Sequence, residues 1–247
     1  MHRAIRFALL AGLLASAQAF SATLQNGDFG GGSLTGWTVT GNASSENLLA
    51  GPAPSGNPYQ AFIGNVGVSV YALGSGAAVS VATLQSALGL APGAFDTLKI
   101  AGDTGGVTFG SAIQQSFTAN AGDHLHFNWN FLSDDPGNHA GNDFAFMLLD
   151  GNLQRIANTF TPSGVTPTVF TGETGYQGFS ALISSTGTHT LAFGVVDVDL
   201  PDHALGASAV LIDNVTITAV PEPGSVVLMF AGLAMLAGVV RTRSREA

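Results

Sequence analysis

Between His124 and Phe131 the chain alternates without a break. Leu125, Phe127, Trp129 and Phe131 fall on one parity, and His124, His126, Asn128 and Asn130 on the other. A strict period of two over that length describes a strand with one buried and one wet face, and it rules out a helix there. Burying each of those four apolar side chains is worth roughly 1.5–3 kcal/mol. Such a strand needs a sheet around it and a second layer over its apolar face.

The rest of the central region supplies both. Gly, Ser, Thr and Asn punctuate short apolar runs, and helical periodicity is rare. Tyr59–Ile63, Val66–Tyr71, Leu153–Thr159, Thr188–Asp199 and Ser208–Thr218 read as strands. Asp143–Asp150 is apolar on both parities, which predicts a central strand. Asp150-Gly151-Asn152 predicts a tight turn into the next strand. Ala50 to Pro58, with its prolines and glycines, reads as a loop. One exception stands out: Val81, Leu84, Gln85 and Leu88 have helical spacing, with Ser80 placed to cap and Gly89 to stop it. The fold class is therefore all-β, a two-sheet antiparallel sandwich with one short helix.

Both ends look like trafficking segments. Arg3 and Arg6 precede an apolar stretch, Phe7 to Leu14, and Ala17-Gln18-Ala19 is an A-x-A cleavage site, so residues 1–19 read as a signal peptide. At the other end Val220-Pro221-Glu222-Pro223 leads into the apolar run Ser225–Val240, followed by Arg241, Arg243 and Arg245. As a helix that run reaches about 24 Å against a hydrocarbon core of ~30 Å, so it spans with local thinning and snorkelling arginines. The arginines favour a cytoplasmic C-terminus. The expected division is a signal peptide at 1–19, a β-sandwich ectodomain at 20–219 and a C-terminal segment at 220–247 with a transmembrane helix at 225–240.

Pro221-Glu222-Pro223, the apolar run and the arginine cluster, in that order, resemble the PEP-CTERM sorting signal of bacterial envelope proteins. The resemblance implies an exosortase-type processing enzyme as partner and a membrane anchor that is transient. It also implies release or attachment outside the cell, in systems that accompany exopolysaccharide production. Gly110–Phe117, Phe127–Phe131, Asn142–Phe146, Phe193–Val198 and Ile212–Val215 are similar to words of ectodomains that recur among PEP-CTERM proteins. Separately, Asn26-Gly27-Asp28-Phe29 with Gly36-Trp37, closed by Ile212-Asp213-Asn214-Val215, looks like the two ends of jelly-roll carbohydrate-binding modules. That resemblance implies a jelly-roll-like sandwich with a structural calcium between first and last strands, where Asp28 and Asp213 would be the matching ligands. Gly30 stands where such modules usually carry Glu, which weakens the borrowed ligand set.

Charge narrows the partners. Of the basic residues the ectodomain keeps only Lys99 and Arg155, against fourteen acidic ones. Such a surface repels nucleic-acid phosphates and attracts divalent cations. There is no cysteine, so no disulfide contributes.

Three acidic groups are candidate calcium sites. Asp213 comes first. On a regular strand Leu211, Asp213, Val215 and Ile217 share a face, and a carboxylate among apolar neighbours must be paired, protonated, bound to a metal or bonded to backbone amides at a bend. The second is the loop Asp134-Asp135-Pro136 to Asn142-Asp143, where Asp134, Asp135 and Asp143 offer oxygens. It lacks EF-hand spacing, and a solvated turn accounts for it equally well. The third is Asp197, Asp199 and Asp202, which also reads as a polar strand end. His124 and His126 offer a metal-binding pair without an identifiable third ligand. No G-x-S-x-G and no phosphate-cradling loop occurs, and nothing in the sequence fixes a catalytic geometry for carboxylates such as Asp134 and Asp143. The expected function is non-enzymatic: an exported envelope or matrix protein, calcium-stabilised, that associates with exopolysaccharide. The alternatives are a surface adhesin that binds other proteins and an extracellular glycoside hydrolase.

Overall fold

The structure, a computed structural model, describes residues 23–47, 54–65, 76–134, 141–199, 206–220 and 230–235. Outside them lie the expected signal peptide at 1–19, the expected strand Val66–Tyr71, Asp135, and the expected sorting residues Pro221, Glu222, Pro223, Arg241, Arg243 and Arg245. Of the run Ser225–Val240 only residues 230–235 are described. They are helical and exposed, and no helix among the described residues is long and apolar enough to cross a membrane.

The described strands are β1 (Thr38–Thr40), β2 (Asn42–Glu46), β3 (Gln60–Gly64), β4 (Val79–Ser80), β5 (Gly106–Ala119), β6 (His124–Ser133), β7 (Phe144–Leu149), β8 (Asn152–Asn158), β9 (Gly172–Glu173), β10 (Gln177–Leu182), β11 (Gly187–Asp199) and β12 (Ser208–Thr218). A helix, α1 (Val81–Ala87), and a 3-10 turn, Ala94–Leu98, sit between β4 and β5.

The chain winds around one tight turn. Asp150 (φ 51°) and Gly151 (φ 80°) both take left-handed backbone, as a two-residue hairpin loop between β7 and β8 requires. Outward from that hairpin the partners nest: β6 with β10, β5 with β11, β3 with β12. The first sheet runs β1-β5-β11-β7-β8 with β4 beside β5, and the second runs β10-β6-β12-β3-β2 with β9 beside β6. Eight long strands, nested in this way and shared alternately between two antiparallel sheets, form a jelly roll. The turn is held by its own side chain: Asp150 Oδ1 accepts from Thr190 N–H at 2.9 Å and Oδ2 lies 2.6 Å from His189 Nδ1.

The main core lies between the sheets. Leu125, Phe127, Trp129 and Phe131 enter it from β6, and Ile113, Phe117, Phe193 and Val195 from the opposite sheet. The predicted helix forms as read. The Ser80 hydroxyl accepts from Thr83 N–H at 3.3 Å, and Gly89 turns left-handed at φ 68° to end it. The helix changes the reason for one strand's composition. β7 is apolar on both faces although it lies next to the sheet edge, between β11 and β8. Its outer residues Phe144, Phe146 and Leu148 are covered by Leu84, Leu88 and Phe95 of the helical segment, with the Phe95 and Phe146 rings 4.9 Å apart.

The closing strand departs from regular pleating. Asp213 pairs with Asn128, but the next pair is Thr216 with His126, so β12 carries one extra residue there. Asn214 sits at φ 53°, and its amide donates to Asn128 Oδ1 at 3.0 Å. The bulge reverses parity. Leu211 and Asp213 face outward, away from the other sheet, whereas Val215 and Ile217 turn inward with Val210 and Ile212. The expectation that Leu211, Asp213, Val215 and Ile217 share a face is thus corrected: a bulge moves every later side chain to the other side.

The bulge predicts a specific mutational pattern. Asn214→Gly keeps the left-handed backbone and leaves stability within about 1 kcal/mol, whereas Asn214→Val costs ~1–3 kcal/mol of strain. Chemical denaturation of both variants measures it; equal midpoints would remove the bulge.

Candidate functional site

Asp213 is fully buried, at 0% exposure. Its Oδ2 accepts from Ser55 N–H at 2.8 Å, while Oδ1 finds no hydrogen-bond partner among the described residues. Burial pushes its carboxyl above the ordinary range. Hydrogen bonds from Ser55 and the Asn214 backbone pull it partly back, and the charge of Asp28 pushes it further up. Neither Lys99 nor Arg155 relieves it. Lys99 Nζ donates to Gly105 O at 2.6 Å and lies 3.8 Å from Asp96, and the Arg155 guanidinium donates to Leu98 O, both on the side of the other sheet.

The neighbours of Asp213 are oxygen-rich. Asn57 Nδ2 donates to Asp28 O and to Ser55 Oγ, both at 2.7 Å, and Gly30 N–H donates to Asp28 Oδ1 at 3.2 Å. The segment carrying Asp28 reaches the closing strand because Gly27 has no side chain. A Cβ there would lie 2.0 Å from Val215 O, and Val215 N–H donates to Gly27 O at 2.8 Å. Across the sheet surface Tyr176 buries an unpartnered hydroxyl, and its acidity is weakened by burial and then by the charges of Asp213 and Glu173. Glu173 Oε2 accepts from Asn130 Nδ2 at 3.0 Å.

This corner fits a hard cation in one respect and limits it in another. Two like charges, a buried orphaned carboxylate oxygen and surrounding carbonyl and hydroxyl oxygens are the donor chemistry calcium takes. Yet no group of three or more His, Cys, Asp or Glu among the described residues could hold a metal ion. A calcium here would draw two carboxylates, Asp28 and Asp213, and otherwise neutral oxygens.

The second acidic loop is arranged differently. Asp143 Oδ1 accepts from Val198 N–H at 2.9 Å and Oδ2 from Asn65 Nδ2 at 2.7 Å. Asn65 Oδ1 accepts in turn from Ser208 N–H at 2.9 Å, and Ser208 Oγ lies 2.9 Å from Ser133 Oγ. This buried chain ties β7 and β11 of one sheet to β3, β12 and β6 of the other. Asp134 Oδ1 accepts from Thr171 N–H at 2.6 Å, fastening the loop before β9. Both carboxylates therefore have structural work in backbone hydrogen bonds, and a buried Asp143 is poorly placed to exchange protons with a substrate. Thr108 Oγ1 donates to Asp197 Oδ2. The His124 and His126 rings stack at 5.9 Å on the outer face of their sheet.

Sequence reasoning paired Asp28 with Asp213 but missed Ser55 and Asn57, and considered Tyr176 only as an aromatic surface for sugar stacking, whereas its hydroxyl is buried near Asp213. Ser55 and Asn57 belong to a loop whose path no local pattern specifies. Trp129 is buried, as its strand parity predicts, and Trp37 is buried too, with its Nε1 donating to Asn26 O at 3.1 Å.

No family model matches the chain, and no curated protein matches its sequence. Among solved structures, TmCBM61 in complex with beta-1,4-galactotriose aligns with a TM-score of 0.37 at 11% identity, over 83% of this chain and 100% of that one. The enzymatically active domain of bacteriophage CBA120 tailspike protein 4 aligns with a TM-score of 0.36 at 11% identity, over 80% of this chain and 21% of the tailspike chain. Similarity this loose carries no functional argument; the jelly-roll assignment rests on the strand order.

Asp213 gives a test with a definite sign. Its folded-state carboxyl titrates above its unfolded value, so the metal-free stability that Asp213 contributes is fully present below the unfolded value and is lost as pH rises through the folded value. Asp213→Asn keeps an acceptor for Ser55 and removes that fall. Calcium at about a hundredfold excess over its Kd stabilises a bound protein by ~2.7 kcal/mol, or roughly 5–10 °C for a domain this size. The wild-type melting midpoint rises by that amount with calcium over chelator, and the Asp213→Asn midpoint does not move. Equal wild-type midpoints in calcium and chelator contradict the metal.

Proposed function

We propose that the chain is a non-enzymatic, exported envelope or extracellular-matrix protein, sorted by an exosortase-type enzyme, that associates with exopolysaccharide and is stabilised by calcium at Asp28 and Asp213. The observation that carries the reading is the junction of Asn26–Phe29 with Ile212–Val215. Gly27 and Val215 exchange a backbone hydrogen bond at the point where the buried Asp213 carboxylate feels the charge of Asp28. Those two segments, distant in sequence, are the ones that resemble the ends of jelly-roll carbohydrate-binding modules.

Export supports the reading through the sequence: the A-x-A site, the Pro221-Glu222-Pro223 motif and the arginine tail address the chain outside the cytoplasm. The acidic ectodomain supports it through its partners, because such a surface favours neutral polymers or calcium-bridged ones over polyanions alone. A second reading, an adhesin that binds proteins, draws on one loop: Phe160, Val165 and Val169 are exposed between β8 and β9.

Two measurements separate these readings. Co-sedimentation with purified exopolysaccharide retains the protein, and Phe160→Ser/Val165→Ser leaves that retention unchanged; retention by a protein partner alone, abolished in that variant, selects the adhesin. Intact mass of envelope-associated protein lacks residues 1–19 and the run Ser225–Val240. Full-length polypeptide in the soluble cytosol contradicts the export reading.

A further inference from the structure

The outer face of the first sheet is divided. At one end α1 and the 3-10 turn seal Ala112, Phe146 and Val198 from solvent. The other end is left open as a cleft of about 310 Å³, lined by Gln25, Thr38, Gln114, Gln115, Ser116 and Thr190 with Gly36. That lining contains no ionisable side chain and no large apolar one.

Register makes the cleft an ordered array. Thr38 stands opposite Gln114 and Thr190 opposite Ser116, so the four side chains share one face of β1, β5 and β11. Cross-strand neighbours are spaced ~4.5–5.5 Å apart, and Gln114 and Ser116 ~6.5 Å apart along their strand. Among the described residues the side chains of Thr38, Gln114, Ser116 and Thr190 make no hydrogen bond to the protein, so their donors and acceptors remain available. The Gln25 segment at the rim is held from the inner side of the sheet: the Gln115 amide accepts from Gln25 N–H at 2.7 Å and donates to Gln25 O at 3.0 Å. Gly36, at φ 91°, lies against the Gln25 side chain and lets the chain turn there.

Amides and hydroxyls both donate and accept, which is the pattern that sugar hydroxyls complement. The volume is at the low end of ligand-site sizes, with room for about one or two sugar rings. The acidic ectodomain disfavours a polyanionic ligand at low ionic strength. The geometry points to this cleft as a binding subsite for a neutral polysaccharide, reading its hydroxyls without aromatic stacking. The inference rests on the polysaccharide association proposed above and assigns it a place, on the sheet opposite Asp213.

Affinity electrophoresis of the exported protein tests it, in native gels cast with a galactan, a xyloglucan, a mixed-linkage glucan or alginate. Wild type is retarded in at least one neutral gel and not by alginate in chelator. Gln114→Ala/Thr190→Val weakens that retardation about fivefold or more, because two unspent polar groups are lost, while the melting midpoint stays put. Undiminished retardation of the folded variant overturns the cleft and leaves polysaccharide association standing. Wild type that is retarded by no polymer, the native exopolysaccharide included, overturns both. Retention by alginate alone, requiring calcium and indifferent to the variant, overturns the neutral ligand and the cleft together.

Discussion

One extra residue in the closing strand decides how this sandwich is joined. The bulge at Asn214 turns Val215 into the core, where it meets Gly27, and leaves Asp213 on the outer face beneath the loop that carries Ser55. Without it, the parity of β12 would bring the carboxylate and Val215 to one side, and either the core would take a charge or solvent a valine. With it, the N-terminal segment locks onto the last strand, and the cost moves to a single buried carboxyl. Desolvation is the largest cause of its upward titration, and neither Lys99 nor Arg155 answers it.

Much of this was legible in the sequence where a local rule governed. The Ser80 cap, the Gly89 stop and the Asp150-Gly151 turn each depend on a few adjacent residues, and each forms as read; the apolar parity of β6 enters the core as read, but Asn130, expected on the wet face, is buried where Glu173 and Thr174 cover it. What failed depended on contacts made elsewhere. β5 is long but mixes Gly110, Ser111, Gln114, Gln115 and Ser116, because its outer face is half sealed by α1 and half open, while Gln115 on the inner side is spent on Gln25. Its alternation is therefore blurred. β7 is paired on both sides, as its apolar run predicts, but the layer that covers its outer face is helical, which no pattern within the strand reveals. The bulge itself carries only a weak mark, an Asn in a strand, since counting by twos presumes an unbroken pleat.

The acidic residues divide by the same logic. Composition identified them as a group that could attract calcium, but geometry gives them different occupations. Asp143 links the two sheets through Asn65 and Ser208, Asp150 braces a hairpin turn, and Asp134 fastens a loop. Asp213 differs because one oxygen is buried without a protein partner while another carboxylate presses on it. The surface reads in parallel: one sheet presents this charged corner, and the other presents an uncharged array of amides and hydroxyls. On the proposed reading, the array would meet a neutral polymer and the corner a cation.

The central claim is that Asp213 is a buried carboxyl held by desolvation above its ordinary titration range, at the place where we propose that calcium binds. Carbon-detected NMR titration of its side-chain carboxyl tests this most directly, in chelator and in calcium. The account predicts titration above the ordinary carboxylate range without metal, shifted down when calcium is added. Titration at the value of an exposed aspartate, unchanged by calcium, would contradict it.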